Sequence, residues 1–161
     1  PITQPEAETA LEDSRLYPVY RQYHAAIESL LRDSIERWGR ESCLLLDFHG
    51  FSKQPPDGQF DVILGTGNRR TVSSEVDREL AEALRSKGYH VFLPEDEGRG
   101  FTEDIYSADY TTRHYHEHFG VDTIQVEIAK KFRTREGKQK GMDLSESIAE
   151  FLTKRFPTTK V

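Results

Sequence analysis

Apolar residues recur along this chain with two different periods, and the period changes from one segment to the next. From Tyr17 to Arg40 they are spaced three or four positions apart, which predicts one long amphipathic helix. Similar stripes predict a helix from Ser74 to about Lys87 and another from Asp143 to about Phe156. Ser74 followed by Asp77 predicts a capping box at the start of the first of these helices, and Asp143 is the predicted cap of the second.

Four shorter apolar runs predict strands, at Cys43–Phe48, Asp61–Gly65, Tyr89–Leu93 and Val121–Ile128. The polar stretch from Pro94 to Gly120 predicts a long connection, and connections of that length are usually functional or mobile. Strands that alternate with helices predict an α/β fold in three α/β/α layers, with a mixed, largely parallel sheet. We expect a loose acidic arm over residues 1–14 and a single domain over residues 15–157.

Composition and charge exclude several classes of function. The chain has 161 residues, with 22 Lys and Arg against 28 Asp and Glu, so its formal charge is −6. A nucleic-acid-binding surface is usually basic and clustered, and a membrane span needs about 20 apolar residues, so neither partner is expected. The single Cys43 and the absence of a signal peptide favour a cytoplasmic location, and the start at Pro1 suggests a processed or cut chain. The oligomeric state is not predicted.

The most apolar run of the chain, Cys43 to Leu46, is followed directly by Asp47-Phe48-His49-Gly50. Side chains alternate along a strand, so Asp47 and His49 point to the same face. Strand ends in open α/β sheets are where ligands usually bind, and a histidine held by a carboxylate is a common zinc ligand. His49 is therefore a candidate metal ligand and Asp47 its orienting partner. The alternative is a hydrogen-bonded pair without a metal.

A second carboxylate, Glu127, lies near the end of the fourth predicted strand. Alternation places Ile124, Val126 and Ile128 on one face of that strand and Thr123, Gln125 and Glu127 on the other. A carboxylate on a strand next to the one with His49 is suited to act as a general base. The alternative is an edge-strand residue that pairs with Lys130 or Lys131.

Two further segments could bind an anionic substrate. Asn68 and Arg69 lie in a short basic loop after the second strand, and Arg113 lies in the long polar connection. Arginine matches a carboxylate with two parallel hydrogen bonds, although both segments could equally be solvated surface. His114, His116 and His118 alternate and would share one side of an extended segment, but three adjacent loop residues rarely complete a metal site.

These motifs, in this order, resemble the N-formylglutamate amidohydrolase family, which is related to the zinc carboxypeptidases. The resemblance extends from about Tyr17 to Arg135, and each motif in it is short. The motifs that carry it are Tyr20-Arg-Gln-Tyr-His-Ala-Ala26, Leu46-Asp-Phe-His-Gly50, Ile63-Leu-Gly-Thr66 with Asn68, Thr111-Thr-Arg113, and Gln125-Val-Glu127-Ile.

The resemblance implies a phosphorylase/hydrolase-like fold and a zinc-dependent hydrolase that cleaves the amide of an N-acyl amino acid such as N-formylglutamate. In that case His49 is the last zinc ligand and Glu127 is the general base. Zinc lowers the pKa of a bound water to about 7, which makes hydroxide available at neutral pH. Arg113, together with Asn68 or Arg69, would then bind the substrate carboxylate.

One departure from the family pattern leaves the metal site open. The family's other zinc ligands, a histidine and an acidic residue, lie upstream of the long helix, and this chain has no histidine before His24. Three explanations are possible. The chain is the C-terminal part of a longer protein, or His114, His116 or His118 substitutes, or the protein is a metal-free relative that binds carboxylates.

Overall fold

A computed structural model describes residues 16–55, 58–93 and 106–157, which form four helices and four strands. Short 3-10 turns at Arg40–Ser42 and Lys130–Phe132 join some of them. In chain order the elements are α1 (Tyr17–Trp38), β1 (Leu44–Phe51), β2 (Val62–Gly65), α2 (Val76–Ser86), β3 (Val91–Phe92), α3 (Tyr110–Phe119), β4 (Asp122–Ala129) and α4 (Lys138–Arg155).

The four strands form one sheet in the order β1-β4-β2-β3. The outer pairs, β1 with β4 and β2 with β3, are parallel, whereas β4 and β2 are antiparallel. The register between β1 and β4 places Asp47 beside Gln125 and His49 beside Glu127. The expected mixed, largely parallel α/β fold is confirmed, and the register brings together two polar pairs that lie far apart in sequence.

Helices cover both faces of the sheet, and two apolar clusters lie between the helices and the strands. On one face Ile124 and Val126 pack into the main core, to which α2 and α4 contribute. On the other face Leu45 packs with Leu31 of α1 and Tyr115 of α3. Asp47, His49, Gln125 and Glu127 share the second face, so the polar pairs lie on the α1 and α3 side of the sheet.

Strand β1 is longer than its apolar run predicts. It continues to Phe51, three residues past the expected end, because Gly50 and Phe51 pair with Ile128 and Ala129 of β4 and the Phe51 side chain is buried in the core. His49, which the predicted bounds leave just after the strand, therefore lies within it together with Asp47. A residue inside a paired strand is held by ladder hydrogen bonds, so these two side chains have a rigid base.

Helix α3 falls where the sequence predicts only a polar connection. The Asp109 carboxylate accepts a hydrogen bond from the Tyr110 N–H at 2.8 Å, and Gly120 ends the helix in the left-handed region at φ 64°. Thr111, Thr112 and Tyr115 form its buried face, and two threonines among histidines do not stand out as an apolar stripe. Residues 94–105 and the predicted arm over residues 1–14 lie outside the described residues.

One predicted helix start is wrong and the other lies within two residues of its predicted position. Helix α4 begins at Lys138, five residues before the predicted cap Asp143, which lies inside the helix and accepts a hydrogen bond from Gln139. Helix α2 begins at Val76, two residues after the predicted cap Ser74, and the Ser74 hydroxyl accepts a hydrogen bond from the Val76 N–H at 3.2 Å while it donates to the Asp122 carboxylate. Asp77 is buried and does not form the second half of a capping box. Asp143 is thus used by a contact within its own helix, whereas Ser74 lies at the helix start and is also held by a tertiary contact with Asp122 of β4.

The remaining structural predictions concern Cys43 and membrane association. Cys43 is buried as expected, and its thiol donates to the Gly39 carbonyl at 3.3 Å. Within the described ranges, no helix combines the length and the apolar character needed to cross a bilayer.

Candidate active site

Asp47 and His49 form a close, nearly buried pair on β1. The Nε2 atom of His49 lies 3.1 Å from Oδ2 of Asp47, and their side chains are 14% and 11% exposed. Neither atom has a well-aligned hydrogen bond, so the contact is an electrostatic pair. Burial lowers the pKa of His49, but the Asp47 carboxylate and, less strongly, Glu127 overcome it, so the net pKa is raised.

Glu127 faces the other nitrogen of the same imidazole. Its Oε1 lies 3.8 Å from His49 Nδ1 and accepts a hydrogen bond from Gln125 Nε2 at 3.1 Å. Burial raises the pKa of Glu127, although the positive charge of His49 and the Gln125 hydrogen bond oppose the shift. The alternative of an edge-strand ion pair does not fit, because β4 is a central strand and Lys131 pairs with Asp61.

Gln125 connects this carboxylate to the start of α3. Its Oε1 accepts a hydrogen bond from the Asp109 backbone N–H at 3.0 Å while its Nε2 donates to Glu127. Gln125 is 4% exposed and Glu127 is 6% exposed. The sequence identifies Gln125 only as part of a motif, since nothing local shows that Asp109 lies beside it.

Two tyrosines near the site are missed by sequence reasoning. Burial and then the negative charge of Asp47 raise the pKa of Tyr23, whose phenol also interacts with Thr111. Burial and then Glu127 raise the pKa of Tyr106, whose ring packs on Phe51 with centroids 5.5 Å apart. Tyr23 lies on the apolar stripe of α1, and its spacing therefore assigns it to the core, although its hydroxyl lies close enough to Asp47 for the carboxylate to affect its pKa.

Arg69 is engaged by carboxylates of the protein itself. Its Nε lies 3.3 Å from Oδ2 of the fully buried Asp77, and its Nη2 lies 3.0 Å from Oε1 of Glu75. These contacts hold a turn in which Gly67, Asn68 and Arg69 all have positive φ values near 60°. This arrangement favours a structural role for Arg69, and its assignment to substrate binding stays a prediction.

Asn68 and Arg113 remain candidates for substrate binding. Asn68 is exposed at the tip of the turn after β2. Arg113 is half-buried on α3, and its guanidinium forms no ion pair with the described residues. Because α3 begins at Asp109, which bonds Gln125, Arg113 lies one turn along the helix that is tied to Glu127.

The three alternating histidines do not share one side, because their segment is helical. The rings of His114 and His118 are in contact one turn apart, with centroids at 4.1 Å and planes tilted by 36°, whereas His116 Nδ1 bonds the Val121 carbonyl at 2.8 Å. No three potential metal-ligating side chains come together anywhere in the described ranges, so these histidines form no such group with His49. Substitution of the missing ligands by this segment is not supported.

Comparison with known proteins shows which family has this arrangement. The sequence model of the N-formylglutamate amidohydrolases matches residues 1–132, which is most of the chain. The chain belongs to the N-formylglutamate amidohydrolase family. The expected resemblance is thus confirmed, while no curated protein sequence matches the chain significantly.

A solved structure supports the fold independently. The crystal structure of N-formylglutamate amidohydrolase from Ralstonia eutropha JMP134 is similar to this chain, with a TM-score of 0.58 and 20% sequence identity. The similarity covers 84% of this chain and 50% of that one. This chain therefore spans about half the length of that relative, and at this identity the likeness concerns the fold alone.

The residues present fit a zinc ion in part. Because His49 Nε2 is paired with Asp47, the tautomer with its proton on Nε2 leaves the Nδ1 lone pair on the side of Glu127, as a metal-binding histidine requires. A catalytic zinc site takes three protein ligands and a water. Within the part of the chain that the structure describes, His49 belongs to no group of three such ligands.

Proposed function

We propose that this chain carries the general base and one metal ligand of an amidohydrolase that cleaves the amide of an N-acyl amino acid, with N-formylglutamate as the model substrate. One observation carries the proposal: the nearly buried His49 and the buried Glu127, on adjacent strands, face each other with Nδ1 and Oε1 3.8 Å apart. The family assignment supports the reaction class, and the geometry supports the division of roles.

His49 would hold the metal through Nδ1, and Asp47 would fix the tautomer and orientation of the ring. A bound zinc lowers the pKa of water and polarises the scissile carbonyl. The proposal needs two further ligands beyond the described residues.

Glu127 performs the proton transfers. Its carboxylate accepts a proton from the attacking water, whose oxygen forms a bond to the acyl carbon. The proton then passes to the amide nitrogen as the C–N bond breaks, so the products are a free amine and a carboxylic acid. Burial raises the pKa of Glu127 toward the range in which a carboxylate both accepts and returns a proton.

Arg113 binds the substrate carboxylate, with Asn68 as a second polar contact. Arg113 is suited to the task because its guanidinium has no partner among the described residues and its helix, α3, is hydrogen-bonded through Asp109 to Gln125. Tyr23 lies near Asp47 and Tyr106 lies near Glu127, since each carboxylate adds to the rise that burial causes in the pKa of the phenol.

A Glu127→Gln variant tests the central role. It keeps the shape and an oxygen that can accept from Gln125, but it removes the base. We expect the rate of amine release from N-formyl-L-glutamate to fall by about 10²–10⁴-fold, the usual contribution of general base catalysis. The matched control is Glu150→Gln on the exposed face of α4, which should leave turnover unchanged. Undiminished turnover in Glu127→Gln would reject Glu127 as the base.

The second candidate function is a carboxylate-binding domain without catalysis, and it is favoured by the missing group of three metal ligands in the described ranges. Metal analysis of protein purified after growth with zinc separates the two functions. Less than about a tenth of an equivalent of zinc, together with calorimetric binding of N-formyl-L-glutamate and no hydrolysis, would establish the binding function. Stoichiometric zinc with hydrolysis would exclude it.

A further inference from the structure

A continuous chain of two hydrogen bonds connects α3 to the proposed base. The Asp109 N–H donates to Gln125 Oε1 at 3.0 Å, and Gln125 Nε2 donates to Glu127 Oε1 at 3.1 Å. Asp109 also begins α3, since its carboxylate accepts from the Tyr110 N–H and its carbonyl accepts from the Arg113 N–H. One amide side chain thus joins the helix that carries Arg113 to the Glu127 carboxylate.

We infer that Gln125 is a positioning residue that holds the Glu127 carboxylate in its reactive orientation and couples it to the start of α3. The inference rests on the proposed function, and it gives Gln125 a role that family membership does not assign. It would make the position of the base depend on the element that holds the substrate carboxylate.

The chemistry of the two partners explains why an amide is needed at position 125. A backbone N–H can only donate a hydrogen bond, and an ionised carboxylate can only accept one. The side chain between them must therefore accept at one end and donate at the other, and a glutamine amide does both. The Asp109 N–H also determines which end of the amide is oxygen, so Nε2 necessarily faces Glu127.

Burial makes this arrangement rigid. Gln125 and Glu127 are both more than nine-tenths buried, so water does not readily replace either bond. The contacts of Glu127 with Gln125 Nε2 and with His49 Nδ1 both use Oε1. Anchoring one oxygen in this way restricts rotation of the carboxylate and leaves Oε2 for the proton transfer.

The test replaces Gln125 by methionine, which has a similar length but makes neither hydrogen bond. Because partners that orient a reacting group typically contribute 10–100-fold to activity, we expect kcat for N-formyl-L-glutamate to fall by about that factor, with KM changed less than about threefold. In a Glu127→Gln background the same substitution should lower the residual rate by less than about twofold. A purely structural role would lower the rate equally in both backgrounds, and that result would overturn the inference.

Thr123→Val is the matched control. Thr123 lies on the same face of β4, is fully buried, and donates to the Thr112 carbonyl of α3 at 2.8 Å, but it does not contact Glu127. We expect this variant to lose stability as Gln125→Met does and to keep the kcat of the wild type. A loss of kcat equal to that of Gln125→Met would contradict a specific role for Gln125.

A measurement without substrate separates this inference from the proposed function. If the wild-type protein does not hydrolyse N-formyl-L-glutamate, the proposed function fails, and proton exchange of the Gln125 side-chain amide in ¹H–¹⁵N NMR spectra then tests the bond itself. We expect at least one Gln125 amide proton to exchange more than tenfold more slowly than those of the exposed Gln22, and to lose this protection in Glu127→Leu. Equal exchange rates of the Gln125 and Gln22 side-chain amide protons would overturn the inference. Because this comparison uses the wild-type protein, it can be made even if Gln125→Met fails to fold.

Discussion

A Gly65→Ala substitution should disturb the site without replacing any residue that takes part in catalysis. Gly65 ends β2 and pairs with Gln125 of β4. A Cβ atom at this position would lie 2.3 Å from the Tyr106 carbonyl oxygen and 3.3 Å from Gln125 Cβ. The segment from Tyr106 to Asp109 crosses β2 at this point, so only a hydrogen atom fits between the two backbones.

The geometry sets the size of the effect. The Tyr106 carbonyl must move from 2.3 Å to at least about 3.0 Å, a shift of about 0.7 Å or more, and Asp109 lies three residues further along the same segment. If the shift reaches Asp109, its 3.0 Å bond to Gln125 lengthens beyond hydrogen-bond distance. A displacement near 1 Å can cost about 100-fold in rate, so kcat/KM should fall by about 10–100-fold. Overpacking should also lower the free energy of unfolding by about 1–3 kcal/mol.

The assay compares kcat/KM for N-formyl-L-glutamate with the free energy of unfolding in urea. Gly88→Ala is the control, because Gly88 has φ +88° and a Cβ there meets no atom within 4 Å. Alanine in this left-handed conformation costs about 1–2 kcal/mol, so the control loses stability without displacing the segment before α3. Wild-type kcat/KM in Gly65→Ala, or equal losses of activity in both variants, would refute the reasoning.

Three further predictions concern charged groups. Arg69→Met removes the cation beside the fully buried Asp77 and should lower the free energy of unfolding by about 3 kcal/mol at pH 7. Burial raises the pKa of Asp77 in the folded state, so the loss of unfolding free energy in Arg69→Met should shrink as the pH falls through that raised pKa toward 3.8. A loss in urea unfolding that does not vary with pH would contradict this prediction. Burial and then the neighbouring His114 lower the pKa of His24 below 6.5. The contribution of neutral His24 to the free energy of unfolding is therefore complete above pH 6.5 and is lost as the pH falls toward the lowered pKa. The melting temperature of His24→Gln should therefore depend less on pH between 7 and 5 than that of the wild type, and parallel profiles would exclude His24 as the cause. Arg113→Ala should raise KM about tenfold or more for N-formyl-L-glutamate and less for a neutral amide analogue, since a hydrogen bond to a charged group contributes about 1.5–3 kcal/mol. Equal increases in KM for both substrates would remove Arg113 from substrate binding.

Elements with a clear hydrophobic period could be predicted from the sequence. The α1 stripe and the four strand runs are strong local signals, and the helices and strands lie close to their predicted positions. Helix α3 could not be predicted in this way, because its buried face contains threonines and its start depends on Asp109. Leu30 and Trp38 belong to the predicted α1 stripe but are 67% and 54% exposed, since the packed face of α1 centres on His24 and Leu31.

The candidate site, too, has features that follow from local sequence pattern and features that depend on tertiary contacts. Alternation along a strand correctly places Asp47 with His49, and Gln125 with Glu127, because strand period is a local property of the backbone. The engagement of Arg69 by Asp77 could not be foreseen in the same way, since it depends on how the turn after β2 folds back on the start of α2. From the sequence alone, the basic loop therefore resembles an anion-binding site, although Arg69 in that loop already has carboxylate partners.

By itself, the sequence determines the α/β class, the faces of the strands and the order of motifs that indicates the family. These properties depend on residue type and spacing over a few positions. Only the tertiary structure decides that β1 pairs with β4 in the register that sets His49 beside Glu127, and that the Asp109 backbone reaches Gln125. Both contacts join residues from different elements, and strand register and chain crossings are set by the packing of the whole sheet rather than by any local pattern.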